Sequence, residues 1–147
     1  MSEREILFRG KRVDNGEWIE GYFLPGNERK SLHPCIFVYL PETQSFECFD
    51  IDIDTLGEYT GVKDKNGTRI FEGDIIKITG FHTTAIAAVK YGSTSEKSTH
   101  WGWYFDDNDG HTYFLMSKAF CKDYNAIIIG NIYDNPELLK WGFEELP

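Results

Sequence analysis

Apolar residues come in short runs along this chain, and glycine, proline, asparagine and aspartate repeatedly interrupt them. The runs are rich in β-branched and aromatic residues, the composition of strands rather than of amphipathic helices. "ILFRGKRV" and "EWIEGYFL" flank Asp14-Asn15-Gly16, and Asn-Gly is a strong hairpin signal because both positions tolerate positive φ. "CIFVYL" (Cys35 to Leu40) reads as another strand, followed by "SFECFDIDID". In that stretch Ile51 and Ile53 alternate with Asp50, Asp52 and Asp54, a period of two that predicts one apolar and one acidic face.

The same reading continues downstream. In "GVKDKNGTRI" the pair Asn66-Gly67 turns a second hairpin, and Gly73-Asp74 breaks the chain before the strand Ile75 to Ile78. "AIAAVKYG" (Ala85 to Gly92), "WGWYF" (Trp101 to Phe105) and "HTYFLM" (His111 to Met116) follow, the last two joined by a turn at Asp109-Gly110. "AIIIGNIY" closes the β region, and "GSTSEKST" (Gly92 to Thr99) reads as a mobile loop. Near the end, Asn135 suits a helix N-cap, Pro136 the first helical position and Gly142 the C-cap, with Leu138 and Trp141 spaced to dock. The pattern predicts a mainly β fold: partly open, barrel-like sheets built from hairpins, with a short C-terminal helix. A chain of 147 residues predicts a single domain over 1–147, with a division into an N-terminal hairpin region 1–56 and a barrel-like region 57–147 as the alternative.

Composition narrows the chemistry. With 41% hydrophobic and 16% aromatic residues the chain has material for a core. Its longest uncharged apolar runs are far too short to span a bilayer, and "MSEREILFRGKR" lacks an apolar signal core, so a cytoplasmic protein is expected. Three cysteines, Cys35, Cys48 and Cys121, without a CxxC pair predict reduced, buried thiols. The net charge of −9 opposes adhesion to phosphate backbones, and the one dense basic cluster is Arg9-Gly10-Lys11-Arg12. Nucleic acid is therefore disfavoured as a partner, and a basic protein partner is open.

Motifs for catalysis are not found. A calcium loop begun at Asp50 would need glycine sixth and glutamate twelfth; those positions hold Thr55 and Gly61. His33-Pro34-Cys35 offers two zinc ligands, but Cys48, Cys121, His82, His100 and His111 supply no second pair, so no metal is predicted. No GxSxG, phosphate loop or dinucleotide fingerprint occurs, so no catalytic residue and no cofactor is assigned. Trp101, Trp103 and Tyr104 belong to an aromatic group that serves core packing, a protein interface or base stacking. Together with Asp50, Asp52 and Asp54 they form the candidate interaction surface.

"TLGEYTGVKDKNGTRIFEGDIIKI", "IIIGNIYDNPELL" and the amino-terminal "ILFRGKRVDNGEWIEGYFL" resemble the YopX-like family of small phage and prophage proteins. The shared positions include Tyr59-Thr60-Gly61, Asp64, Ile70 to Ile75, and Gly130 through Pro136. The resemblance implies a predominantly β fold with partly open barrel-like sheets and a phage-encoded protein in a bacterial cytoplasm. It carries over no catalytic or binding residue. The resulting expectation is an accessory protein that acts through an unidentified host or phage protein or through homo-oligomerisation. A single-stranded nucleic-acid-binding module is the alternative, and an enzyme with a site assembled from distant residues is a third class.

Overall fold

The computed structural model describes residues 5–80, 83–92, 101–106, 112–114 and 118–140. It is mainly β, and the chain divides into two compact units, Met1–Tyr59 and Thr60–Pro147.

The first unit is an antiparallel sheet that closes on itself. Strands β1 (Phe8–Arg12), β2 (Trp18–Leu24), β3 (Cys35–Leu40) and β4 (Ser45–Lys63) pair in chain order, and β4 also returns to pair with β1. The β1–β2 turn forms where Asn15-Gly16 predicts it: Gly16 N–H donates to Arg12 O at 2.9 Å, and Arg12 N–H to Glu17 O at 2.9 Å. The interior of so small a ring is filled by Ile36 and Ile51, and the facing positions must therefore lack side chains. A Cβ on Gly21 would stand 2.4 Å from Phe37 O, and one on Gly10 would stand 2.7 Å from Ile51 Cδ1. These two glycines are required by close approach.

The ring closes through an irregularity in β4. Arg9 pairs with Gly57, but Lys11 pairs with Asp52, so the segment between has no direct partners on β1. Asp52 organises this bulge: its carboxylate accepts from Asp54 N–H at 3.1 Å, and its carbonyl accepts from Thr55 Oγ1 at 2.6 Å. Lys11 N–H then donates to Thr55 Oγ1 at 2.9 Å. The expected alternation fails here. Ile51 is buried, but Ile53 is 48% exposed, because the bulge turns it out and gives the inward place to Thr55.

The second unit contains the end of β4, strand β5 (Arg69–Phe71) beside it, and a second antiparallel sheet. That sheet runs β10 (Ile127–Asn131), β6 (Asp74–Gly80), β7 (Thr83–Gly92), β8 (Gly102–Asp106) and β9 (Thr112–Phe114). The whole run Ala85 to Val89 of β7 is buried, so this strand is covered on both faces and reads as continuous rather than alternating hydrophobicity. Ile70, Ile76, Ile78, Ala87, Val89, Phe105, Cys121 and Ala126 form one core cluster. Cys121 comes from helix α1 (Lys118–Asp123), a single short helix that the hydrophobic pattern does not announce. Phe120 stacks on Tyr124 with ring centroids 4.6 Å apart, and a helix this short depends on such packing.

The expected short C-terminal helix is present as a 3₁₀ helix, Pro136–Lys140. Asn135 Oδ1 accepts from Asn131 N–H at 3.3 Å, and Leu138 N–H donates to Asn135 O at 3.1 Å in 3₁₀ fashion. Trp141 and Gly142, the turn Asp109-Gly110 and the loop after Gly92 lie outside the described residues.

Candidate interaction surface

Asp50, Asp52 and Asp54 are exposed on β4 of the first unit. They do not make one acidic row. Asp50 lies in the regular ladder opposite Cys35, whereas Asp52 and Asp54 belong to the bulge. Basic residues of β1 come close to this strand, since Lys11 is the register partner of Asp52 and Arg12 that of Ile51.

The three aromatic candidates lie in the second unit and divide between environments. Trp101 is 70% exposed. Trp103 packs against the core cluster and meets Tyr91 edge-on at 5.0 Å. Tyr104 follows on the opposite face of β8 and lines an open cavity of about 260 Å³ with Glu72, Lys90, Tyr91, Ile132 and Tyr133. Nearby, Lys90 Nζ pairs with Asp106 at 2.7 Å.

A different set of side chains forms a continuous exposed face on the first unit. The register places Tyr22 opposite Phe37 and Phe37 opposite Cys48; Leu24 lies opposite Cys35 and Cys35 opposite Asp50; Tyr39 lies opposite Phe46. All of these side chains share one face of β2–β3–β4. Phe37 and Phe46 stack at 5.0 Å with 4° between planes, and Tyr39 meets Phe46 at 5.1 Å. Tyr22, Leu24, Tyr39 and Phe46 are 60%, 44%, 48% and 57% exposed, so the cluster faces solvent. Grouped exposed aromatics of this kind mark interaction sites more often than scattered ones do. They are not among the candidates that the sequence motifs single out, although alternation in "CIFVYL" and "SFECF", folded about the turn Pro41–Gln44, puts Phe37, Tyr39 and Phe46 on one side.

Around this face the charges are unevenly used. Arg9 and Lys11 lie over the Trp18 ring at 4.8 and 5.6 Å, and Arg12 lies over Phe49 at 4.2 Å. Arg12 also grips Asp14 with two hydrogen bonds, 2.9 and 2.5 Å. That hydrogen bonding, opposed by slight desolvation, holds the Asp14 carboxyl below its usual range and raises the guanidinium of Arg12. The basic cluster is thus occupied by neighbouring rings and an acid. Between Ser45 and Val62, by contrast, β4 carries Glu47, Asp50, Asp52, Asp54 and Glu58 and no basic residue.

Cys48 is exposed, which corrects the expectation of three buried thiols; its position opposite Phe37 puts it on the outer face. Cys35, buried beside it, has its thiol pushed up to about 11, first by burial and then by its hydrogen bond to Cys48 and the charges of Cys48 and Asp50. Burial likewise raises Cys121. Among the described residues no group of three His, Cys, Asp or Glu side chains is placed to hold a metal ion; His82, His100 and His111 lie outside them.

The polar residues of the glycine-punctuated stretches are spent on backbone. Asp64 Oδ1 accepts from Asn66 N–H and Thr68 N–H, both at 2.9 Å, while its Oδ2 accepts from Ile128 N–H at 3.1 Å. Asp74, fully buried, accepts from Phe71 N–H at 2.7 Å. Asn131 Oδ1 accepts from Tyr133 and Asp134 N–H at 3.0 and 2.9 Å. These carboxylates and amides turn hairpins and join β10 to the hairpin before β5.

Comparison with known proteins agrees with this architecture. The structure of protein EF1440 from Enterococcus faecalis is similar, with a TM-score of 0.56 and 24% identity over 93% of this chain and 99% of that one, a likeness of fold. No curated protein matches the sequence. The family model described as YopX protein matches residues 7–140, nearly the whole chain, and the protein belongs to the YopX family.

Proposed function

We propose that this protein is a phage- or prophage-encoded accessory protein of the bacterial cytoplasm that binds a basic protein partner through the outer face of β2–β3–β4. The observation that carries the reading is the group of solvent-exposed Tyr22, Tyr39 and Phe46 on one face, with the half-buried Phe37 stacked on Phe46. Aromatic anchors of this kind dominate the energetics of protein interfaces. The partner's sign follows from charge: β4 offers exposed acids beside the face, and the nearby cations are engaged with Trp18, Phe49 and Asp14. A second copy would bring the same acids into contact, which disfavours self-association through this face. Among the described residues no helix is long and apolar enough to cross a membrane.

The test is a nuclear magnetic resonance titration of the full chain with three probes: an arginine- and tyrosine-containing peptide, its aspartate counterpart, and a thymidine oligonucleotide. Shifts confined to Tyr22, Tyr39, Phe46 and their neighbours, seen with the cationic peptide and weakened by salt, are expected. Phe46→Glu should abolish them. A response to the oligonucleotide at Trp18 would favour the single-strand reading instead, and equal binding of both peptides would overturn the charge argument.

A further inference from the structure

The aromatic face holds one feature that the binding role does not use. Cys35 and Cys48 are 13 residues apart in sequence, but the tight turn at Pro41–Gln44 folds them onto neighbouring positions. Cys35 lies opposite Asp50 and Cys48 opposite Phe37, so the two cysteines are diagonal neighbours on the same face of adjacent strands. The two side chains are near enough that Cys48 helps to raise the Cys35 thiol, after burial. One is open to solvent and the other is buried.

We propose that Cys35 and Cys48 are a thiol-oxidation site, in which the exposed Cys48 takes oxygen from a hydroperoxide and Cys35 closes a disulfide across β3 and β4. In the first step the Cys48 sulfur attacks the nearer peroxide oxygen. An S–O bond forms, the O–O bond breaks, and the departing oxygen leaves as water or an alcohol with the thiol's proton. In the second step the Cys35 sulfur attacks the sulfur of the Cys48 sulfenic acid. The S–S bond forms, the S–O bond breaks, and hydroxide leaves as water with the Cys35 proton. Two thiols lose two electrons and one hydroperoxide gains them.

The order of events follows from the environments. The thiolate is the nucleophile, and burial keeps Cys35 in its S–H form at neutral pH, so the first attack falls to the accessible thiol. Once Cys48 is a sulfenic acid, the thiol on the diagonal position of the next strand is the nearest reductant. Diagonal Cα atoms in a sheet are about 7–8 Å apart, beyond the usual span of a disulfide, so closure draws the strands together. Such a strained bond is readily reduced, which suits a reversible switch better than a permanent staple. Cys121, buried in the core of the second unit, serves as an internal control.

The experiment exposes the reduced full chain to hydrogen peroxide and follows intact mass, thiol alkylation and peptide linkage. The expected result is loss of two hydrogens, a crosslink between the Cys35 and Cys48 peptides, an alkylatable Cys121, and reversal by glutathione. Cys48→Ser, at an exposed position that leaves the fold intact, should show no mass change under the same exposure. Cys35→Ser should accumulate a sulfenic acid trapped by dimedone. Over-oxidation of Cys48 with Cys35 still alkylatable would overturn the proposal, as would a crosslink only between chains. The wild-type and Cys48→Ser results decide the matter even if Cys35→Ser does not fold.

Discussion

The two units solve the same packing problem in opposite ways. The first has a narrow interior filled by Ile36 and Ile51, and it leaves Tyr22, Tyr39 and Phe46 outside. The second has a broader core that takes in Phe105, Phe71 and part of Trp103. Aromatic content alone therefore says little about aromatic placement. In a small closed ring two glycines set the space available, and large rings are left for the outer face. In the open sheet, strands covered on both sides can absorb them.

That contrast can be broken at several points. Phe105→Ala removes a fully buried ring from the second core and should cost about 3–5 kcal/mol in urea unfolding. A loss well under 1 kcal/mol would mean that the core is not organised around it. Gly21→Ala puts a methyl against Phe37 O in the first unit and should cost near the upper end of about 1–3 kcal/mol, read as a lower melting temperature. If the variant were as stable as the parent, the ring would not be tight there. Asp64→Ala leaves the Ile128 N–H without its acceptor and frees the Asn66-Gly67 turn, for an expected loss of about 2 kcal/mol. Faster amide exchange should then appear at Thr68 and Ile128, and unchanged protection there would count against the assigned role.

The smallest effect is electrostatic. Asp14 titrates below its usual range because Arg12 hydrogen-bonds it, so its contribution is complete above the ordinary carboxylate pKa and disappears as pH falls through the folded value. Both groups are on the surface, and salt should screen the effect. Asp14→Asn should flatten the acid limb of the stability profile slightly, and an unchanged acid limb would show that the pair is inert.

Much of the backbone is legible in the sequence, for local reasons. Asn15-Gly16 and Asn66-Gly67 turn where the sequence places them, with positive φ taken by Gly16 and Gly67 and not by the asparagines, and the strand runs lie where β-branched residues cluster. What local pattern misses depends on distant partners. Ile53 alternates correctly in sequence yet points outward, because closure against β1 inserts a bulge that nothing in β4 alone encodes. Helix α1 is one short turn held by Phe105 and Tyr124, without a periodic stretch long enough to announce it. The aromatic face was hidden for another reason. Alternation separates two faces of a strand, but only the glycines of β1 and β2 determine which one can be inside.

Ring closure has a further consequence, for how this surface can change over time. Because β4 returns to β1, the backbone hydrogen-bonding groups of the first unit are largely satisfied within it. A ligand strand has little edge to extend, so recognition there falls to side chains alone. Tyr22, Leu24, Tyr39 and Phe46 can then be exchanged without disturbing the ladder beneath them. The ring is a constant frame with a replaceable facing, and a lineage confronted with new partners could retune the facing while the frame stayed the same.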